Sequence, residues 1–97
     1  MTRTIAVGPL TDEMKRDFTL VAAGHFRLMN AIFKAGTTGV QLDLLAREPL
    51  YKYGLDFNHG TGHGIGYILN VHEGPQRIGP ARPGVASAPM EEGLISS

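Results

Sequence analysis

The chain is 97 residues long, carries nine basic and nine acidic side chains, and has a formal net charge of zero. This balance provides no charged face for nucleic acid or an anionic membrane, so neither is expected as a partner. The absence of cysteine excludes disulfides and thiolate zinc sites and suits a reducing compartment. No apolar run approaches the roughly 20 residues that span a bilayer, and the start lacks the apolar core of a signal peptide. We therefore expect a single domain, residues 1–97, located in the cytoplasm.

The first third of the chain predicts a short strand and a long helix. Residues 2–7 are rich in β-branched side chains and precede a Gly-Pro pair, which predicts a strand that ends in a turn. Thr11 is a candidate N-cap, and apolar residues then recur at three- and four-residue steps over 14–33. We expect that face to be buried, with His25 as a core histidine, and the helix to end at Gly36.

The middle of the chain predicts a second helix. It is expected to start at Thr37 or Thr38 and to run to about Tyr53. A proline inside a helix removes one backbone hydrogen bond and clashes with the preceding turn. Pro49 therefore predicts a kink or a break near residues 47–48.

The second half of the chain predicts strands and a loop. Glycine and β-prone residues dominate beyond residue 54, and segments 58–66 and 67–72 are predicted as two strands joined by a turn. Residues 79–89 contain three prolines and no periodicity, which predicts a loop.

Three of the four histidines fall between residues 59 and 72. The segment 59–66 reads His-Gly-Thr-Gly-His-Gly-Ile-Gly, and its glycines disfavour a helix. In a strand, His59 and His63 would lie on one face, so both could serve one pocket. Imidazole can ligate a divalent metal or carry a proton, and the residues alone leave both roles open beside a glycine-rich turn with surface histidines.

Two other kinds of site are poorly supported by the sequence. The glycines of segment 62–66 lack the spacing of a dinucleotide-binding fingerprint, and no lysine follows them as in a P-loop. Glu73, Glu91 and Glu92 are nearby acids, but adjacent glutamates before a glycine are typical of a solvated turn. The sequence therefore predicts no paired-carboxylate site within the chain.

Residues 54–66 and 69–75 closely resemble the Xaa-Pro aminopeptidases (aminopeptidase P), which belong to the pita-bread metallopeptidases. The histidine motif at 59–66 and the run Asn-Val-His-Glu-Gly-Pro at 70–75 carry the resemblance. Segments 37–39 and 42–50 are also similar to the part of that family that precedes the histidine motif. The resemblance covers nearly the whole chain.

The resemblance implies a fold and a site. The implied fold is α+β, a partial pita-bread domain in which helices pack on an incomplete antiparallel sheet. By similarity, His63 ligates metal, and His59 and His72 bind substrate and take part in catalysis, with His72 the better candidate for proton transfer. The implied cofactors are two divalent metal ions, manganese being the first candidate.

The resemblance also implies metal ligands that this sequence lacks. In the family, two aspartate ligands lie upstream of a Thr-Arg-Thr like that at residues 2–4, and two glutamate ligands follow a position equivalent to Ser97. With the histidine equivalent to His63, the family has five metal ligands, and of these only His63 is present. We therefore expect an internal fragment of the catalytic domain that binds manganese poorly and is inactive by itself.

The activity implied for the parent enzyme is removal of the N-terminal residue from peptides with proline in second position. The parent enzyme is expected to form a homodimer. The nearest alternative is prolidase, which cleaves Xaa-Pro dipeptides. A non-catalytic pita-bread module that binds peptides or proteins is a further alternative, and the presence of all three clustered histidines disfavours it.

Overall fold

Two helices and a short antiparallel sheet form the regular structure of residues 2–97, the part of the chain that the computed structural model describes. Helix α1 spans Asp12–Met29 and helix α2 spans Gly39–Tyr51. Strand β1, Gly62–His63, pairs with strand β2, Arg77–Ile78. None of the helices in these residues is long and apolar enough to cross a membrane.

Helix α1 begins as predicted and ends earlier than predicted. The Thr11 hydroxyl accepts a hydrogen bond of 3.1 Å from the backbone N–H of Met14, which satisfies a free donor of the first turn. At the other end Asn30 caps the helix, because its side-chain amide donates to the carbonyl of Phe26 at 2.8 Å. The predicted end at Gly36 is therefore wrong, and that glycine instead takes a φ of 88° in the following turn.

The apolar face predicted for α1 is mostly exposed among the described residues. Met14, Phe18 and Val21 are each more than half exposed, and Gly24 is the buried residue of the helix. Helix α2 packs against a neighbouring side of α1, since a Cβ built on Gly24 would lie 2.1 Å from the carbonyl oxygen of Ala46. His25 is exposed as well, so its predicted place in the core is wrong.

Helix α2 supplies most of the core. Leu42, Ala46 and Leu50 lie one turn apart and are buried, and Ile78 of β2 joins them. Thr38 is the N-cap of this helix, and its backbone N–H donates to the side chain of Gln41 at 2.8 Å. It continues without interruption through the buried Pro49. Of the predicted kink or break, the break is wrong, because the apolar face on both sides of the proline is held by the core, which outweighs one lost hydrogen bond.

The sheet differs from the predicted one in its second strand. Strand β1 lies within the predicted segment 58–66, but its partner is β2. Residues 67–72 form turns instead, with a hydrogen bond of 2.8 Å from the N–H of Gly66 to the carbonyl of Asn70 and a φ of 55° at Ile68. Segment 79–89 is irregular as predicted, apart from one bridge between Thr38 and Pro89.

The two ends of the described chain differ in whether their backbone pairs with the rest of the molecule. Residues 2–7 form no strand, and Ile5 and Val7 are strongly exposed. A strand needs a neighbour for its backbone groups, and residues 2–97 provide none for this segment. By contrast, Ser97 exchanges two backbone hydrogen bonds of 2.9 Å with His63. His63 therefore lies between β2 on one side and the last residues on the other.

Candidate active site

The three clustered histidines line one cavity of about 470 Å³. The ring centroids of His63 and His72 are 4.0 Å apart, with 47° between the ring planes. His59 lines the same cavity, as do Glu73 and Arg77. The prediction that His59 and His63 serve one pocket is confirmed, and His72 lines the same pocket, whereas the chemical roles of the three histidines stay predictions.

His63 is fixed by the backbone on both sides of β1. Its N–H and carbonyl are bonded to Ser97, and it faces Arg77 across the sheet. The ring Nδ1 lies 2.9 Å from the carbonyl oxygen of Gly64. A carbonyl only accepts, so in the neutral imidazole this hydrogen bond assigns the proton to Nδ1 and the lone pair to Nε2, the tautomer of a metal-ligating histidine whose second nitrogen is oriented by the backbone.

The glycine after His63 makes room for the turn that carries His72. A Cβ built on Gly64 would lie 2.1 Å from the carbonyl oxygen of Glu73. The Glu73 N–H in turn donates to the Gly64 carbonyl at 3.0 Å, and the side chain of Asn70 donates to the Glu73 carboxylate at 3.1 Å. A larger residue at position 64 would therefore push the His72 turn away from His63.

His59 is oriented from both sides of its ring. Nδ1 lies 2.7 Å from the carbonyl oxygen of Gly60, which again favours the tautomer with the lone pair on Nε2. The ring stacks on Phe57 at a centroid distance of 4.7 Å and an interplanar angle of 28°. The backbone carbonyl of His59 accepts a hydrogen bond of 2.6 Å from Arg47.

Arg47 joins helix α2 to the loop of residues 56–61. The guanidinium is 2% exposed and donates to Asp43 at 2.7 Å, to Asp56 at 2.8 Å and to the Phe57 carbonyl at 2.6 Å. Asp43 also accepts a hydrogen bond from the hydroxyl of Thr61. Two anchor points on one helix thus hold both ends of the loop that carries His59.

The charges in this network stabilise one another. Burial opposes the charge of Arg47, but its hydrogen bonds to Asp56 and Asp43 outweigh burial and hold its pKa above the ordinary value. The hydrogen bond from Arg47, followed by that from the Phe57 N–H, lowers the pKa of Asp56. Sequence reasoning missed this network, although an aspartate and an arginine four residues apart on an apolar helix face were a detectable signal.

A second cavity, of about 520 Å³, lies beside the first. Its wall is largely apolar and comes from the exposed side of α1, with Val21 and Leu28, and from Ile78 of β2. His25 and His59 also line it. His59 therefore lies between the two cavities, whereas His25 lines the apolar one alone and does not join His63 and His72.

The donor set of the first cavity suits one metal-ligand position better than a whole metal site. His63 has the tautomer that a ligand needs, and imidazole is a common ligand of divalent ions. Within residues 2–97, however, no group of three or more His, Cys, Asp or Glu side chains is arranged to hold a metal ion. His63 fits as one ligand, and a complete site needs carboxylates that these residues do not place there.

Comparison with known proteins assigns the family. A model of metallopeptidase family M24 matches residues 1–97. The chain belongs to this family. The resemblance based on the histidine motif is thereby confirmed.

The M24 chain is similar to much longer proteins. The probable Xaa-Pro aminopeptidase P of Laccaria bicolor is 48% identical over 97 residues, which are 100% of this chain and 15% of that protein. Aminopeptidase P1 of Arabidopsis thaliana is 48% identical over 91 residues, which are 94% of this chain and 14% of that protein. The chain therefore spans about a seventh of the length of these relatives.

Solved structures of M24 enzymes share the fold. The X-prolyl aminopeptidase of Caenorhabditis elegans, described as a cytosolic enzyme with a di-nuclear active site, matches with a TM-score of 0.80 and 43% identity over 91% of this chain and 14% of that chain. Prolidase from Pyrococcus furiosus matches with a TM-score of 0.76 and 33% identity over 97% of this chain and 26% of that chain. The predicted α+β fold, part of a pita-bread domain, is confirmed.

Proposed function

We propose that the protein carrying this chain is a metal-dependent Xaa-Pro aminopeptidase, which removes the N-terminal residue from peptides with proline in second position. The observation that carries the proposal is the pairing of His63 and His72 in one cavity, 4.0 Å between ring centroids, in a chain of family M24. The names of the similar Laccaria bicolor and Arabidopsis thaliana proteins support the aminopeptidase activity over other M24 activities.

The proposed cofactors are two divalent ions, with manganese as the first candidate. His63 would hold one of them through Nε2, and the other ligands would come from outside residues 2–97. When bound, such ions supply a Lewis acid for the substrate carbonyl and an activated water. The description of the Caenorhabditis elegans enzyme as di-nuclear supports the number of ions for that protein and, by family membership, the proposal here.

The histidines beside His63 would handle the peptide. His72 would move a proton at one ring nitrogen during cleavage, a role supported by the 4.0 Å between its ring centroid and that of His63. His59, stacked on Phe57 and held through its carbonyl by Arg47, would bind the peptide backbone. The glycines around them leave space for a substrate main chain to approach.

Prolidase activity is the second candidate. The match to the Pyrococcus furiosus prolidase, with a TM-score of 0.76, favours it at the level of the fold. The two activities differ in substrate length, because a prolidase cleaves the Xaa-Pro dipeptide itself. Hydrolysis of an Xaa-Pro tripeptide with no hydrolysis of the dipeptide would assign the protein as an aminopeptidase.

The proposed roles of two histidines are tested by comparing His63→Ala with His72→Ala in the protein that carries the chain. We expect His63→Ala to lose bound metal and with it activity. We expect His72→Ala to keep its metal and to lower kcat by about 10²–10⁴-fold, the usual contribution of a proton-transfer group. Metal content and kcat are measured on the same purified samples.

A matched control is His25→Ala, because His25 lies outside the histidine cavity. It is expected to keep both metal and activity. Equal metal loss in the His63 and His72 variants would show that the assigned roles are wrong. Absence of Xaa-Pro hydrolysis in the metal-loaded wild type would refute the proposed function itself.

The proposal also covers the cellular location and the oligomeric state of the enzyme. We propose a cytoplasmic location, supported by the description of the Caenorhabditis elegans enzyme as cytosolic. A homodimer is proposed from the family resemblance, with a peptide as the substrate partner.

A further inference from the structure

Arg47 contacts His59 by two routes, although it lines neither of the two cavities. Its Nη2 donates to the carbonyl oxygen of His59 at 2.6 Å, which fixes the backbone that carries the imidazole. Its guanidinium carbon also lies 3.9 Å from the centroid of the Phe57 ring, and that ring stacks on the imidazole of His59. Arg47 therefore holds both the main chain of His59 and the ring against which its side chain packs.

The guanidinium is fully engaged in this arrangement. Nε donates to Asp43, Nη1 to Asp56 and to the Phe57 carbonyl, and Nη2 to the His59 carbonyl, so four of its five N–H donors are used. Arg47 and Asp43 are both buried, and hydrogen bonds in a buried setting are electrostatically stronger than in water. Helix α2 and the loop of residues 56–59 thus set the orientation of the guanidinium.

The side chain of His59 depends on these contacts for its direction. It is exposed, and its own hydrogen bond is a local one, from Nδ1 to the adjacent Gly60 carbonyl at 2.7 Å. Exposed side chains change rotamer on the picosecond-to-nanosecond timescale unless packing restrains them. The stacked Phe57 ring and the anchored carbonyl supply that restraint.

A lysine at position 47 would keep the charge but lose the geometry. An ammonium carries its three donors on one nitrogen, whereas a guanidinium spreads its donors over three nitrogens in a plane. Lysine would be able to pair with Asp43. It would be unable to bond the His59 carbonyl at the same time and to lie flat on the Phe57 ring.

We propose that Arg47 is a positioning residue, which holds His59, through its carbonyl and through Phe57, in the orientation that binds the peptide. The inference rests on the proposed function, because it requires the peptide contact proposed there for His59. Peptide affinity then depends on a buried residue that the peptide does not touch. The effect of a change at Arg47 is expected on KM, and it must pass through His59.

Arg47→Lys is the decisive variant, assayed with Ala-Pro-Ala in the metal-loaded protein that carries the chain. We expect KM to rise about 3–10-fold, the equivalent of one weakened hydrogen bond, with metal content unchanged. We expect kcat to stay within about twofold of wild type, because the lost contact is one of binding. A residue that only stabilised the fold would reduce the amount of active protein, which lowers kcat and leaves KM unchanged.

Arg27→Lys is the matched control. Arg27 pairs with Glu48 between the helices and lines neither cavity. Its lysine variant also exchanges a guanidinium for an ammonium in an ion pair of α2, and it should keep the KM of wild type.

The His59→Ala background tests whether the effect passes through the histidine. There Arg47→Lys should change KM by less than about twofold, because the group that it positions is gone. If the KM effects of the two substitutions multiply instead, Arg47 acts independently of His59 and the proposal is overturned. An unchanged KM in Arg47→Lys alone overturns it as well.

Should Arg47→Lys fail to fold, Phe57→Leu takes its place in the same comparison. It removes the stacked ring and keeps an apolar side chain, so the same rise in KM is expected with His59 present and none in the His59→Ala background. A wild-type KM in Phe57→Leu overturns the proposal. If wild type cleaves Ala-Pro-Ala and His59→Ala has the same KM, this inference fails and the aminopeptidase activity stands. If wild type does not cleave the peptide, the proposed function fails and the inference fails with it.

Discussion

Arg47 connects a buried helix face to the loop that carries a candidate substrate-binding histidine. It is 2% exposed, and its partner Asp43 is 7% exposed. A buried ion pair is costly to desolvate, so its net stabilisation is small, but removing one member leaves the other charged and buried. Replacing Arg47 is therefore expected to lower the free energy of unfolding by more than the net stabilisation that the ion pair provides.

We expect Arg47→Met to lower the free energy of unfolding by about 3–5 kcal/mol, since Asp43 would lose its cation in a buried setting. Thermal or denaturant unfolding of the protein that carries the chain measures the effect. Arg27→Met is the matched control: its pair with Glu48 is 44% and 35% exposed, so a change below about 1 kcal/mol is expected. Equal losses in both variants would contradict the special role of Arg47.

The candidate site could be predicted from the sequence to the extent that its chemistry is local. His59 and His63 stand in a short glycine-rich stretch, and their spacing was enough to place them in one pocket, whereas the family resemblance added His72. Arg77 was not recognised because its place opposite His63 depends on strand pairing, which a short sequence window does not encode. Arg47 was missed because its polar partners come from a loop that follows the helix.

At the level of elements, the two helices approach each other closely at Gly24 of α1. Gly24 lies against the backbone of Ala46, and a Cβ there would approach its carbonyl oxygen to 2.1 Å. The obstacle is main chain, which cannot rotate away as a flexible side chain can. Any larger residue at this position must move one helix relative to the other.

Gly24→Ala is expected to lower the midpoint of thermal unfolding by an amount equivalent to about 1–3 kcal/mol of overpacking. Helix propensity alone predicts the opposite sign, because alanine is favoured over glycine by about 1 kcal/mol inside a helix. Ala23→Ser adds one atom at the adjacent exposed position and should change stability by less than about 0.5 kcal/mol. A stabilised Gly24→Ala protein would show that the helices can separate without cost.

The helices could be predicted from the sequence, and the strands mostly could not. Helical periodicity and caps are local, so the start of α1 at Thr11 and that of α2 at Thr38 agree with the structure. The C-terminal end of α1 was predicted too late, because Asn30 caps the helix before Gly36 is reached. The strand predicted for residues 67–72 failed since β-branched composition also fits a turn when no neighbour pairs with it.

For the whole molecule, the exposed apolar side of α1 indicates a surface that needs covering. Phe18 and Val21 are 55% and 51% exposed, and Met14, one turn before Phe18 on the helix, is 57% exposed. Large apolar side chains in contact with water promote aggregation of a domain that no partner covers. This surface and the incomplete metal-ligand set affect the isolated chain together.

We expect the 97-residue chain expressed alone to be loosely packed or aggregated and to lack manganese-dependent hydrolysis of Xaa-Pro peptides. Manganese prefers oxygen ligands, and the histidine cavity offers mainly imidazoles. Calorimetry and a peptide assay against manganese-containing buffer check this. A cooperative thermal transition together with metal-dependent cleavage would contradict the expectation and would mean that Glu73, Glu91 or Glu92 supplies ligands.

His59 lines both cavities, so the packing of the apolar cavity can affect how the protein binds a peptide in the other. On one side its ring borders the space where we propose that the peptide lies, and on the other it borders the apolar space beneath α1. Side chains chosen to fill the apolar space would press on the same ring that meets the peptide. Substitutions that stabilise the protein by filling the apolar cavity are therefore expected to alter substrate preference. Stability and substrate preference can be optimised only together.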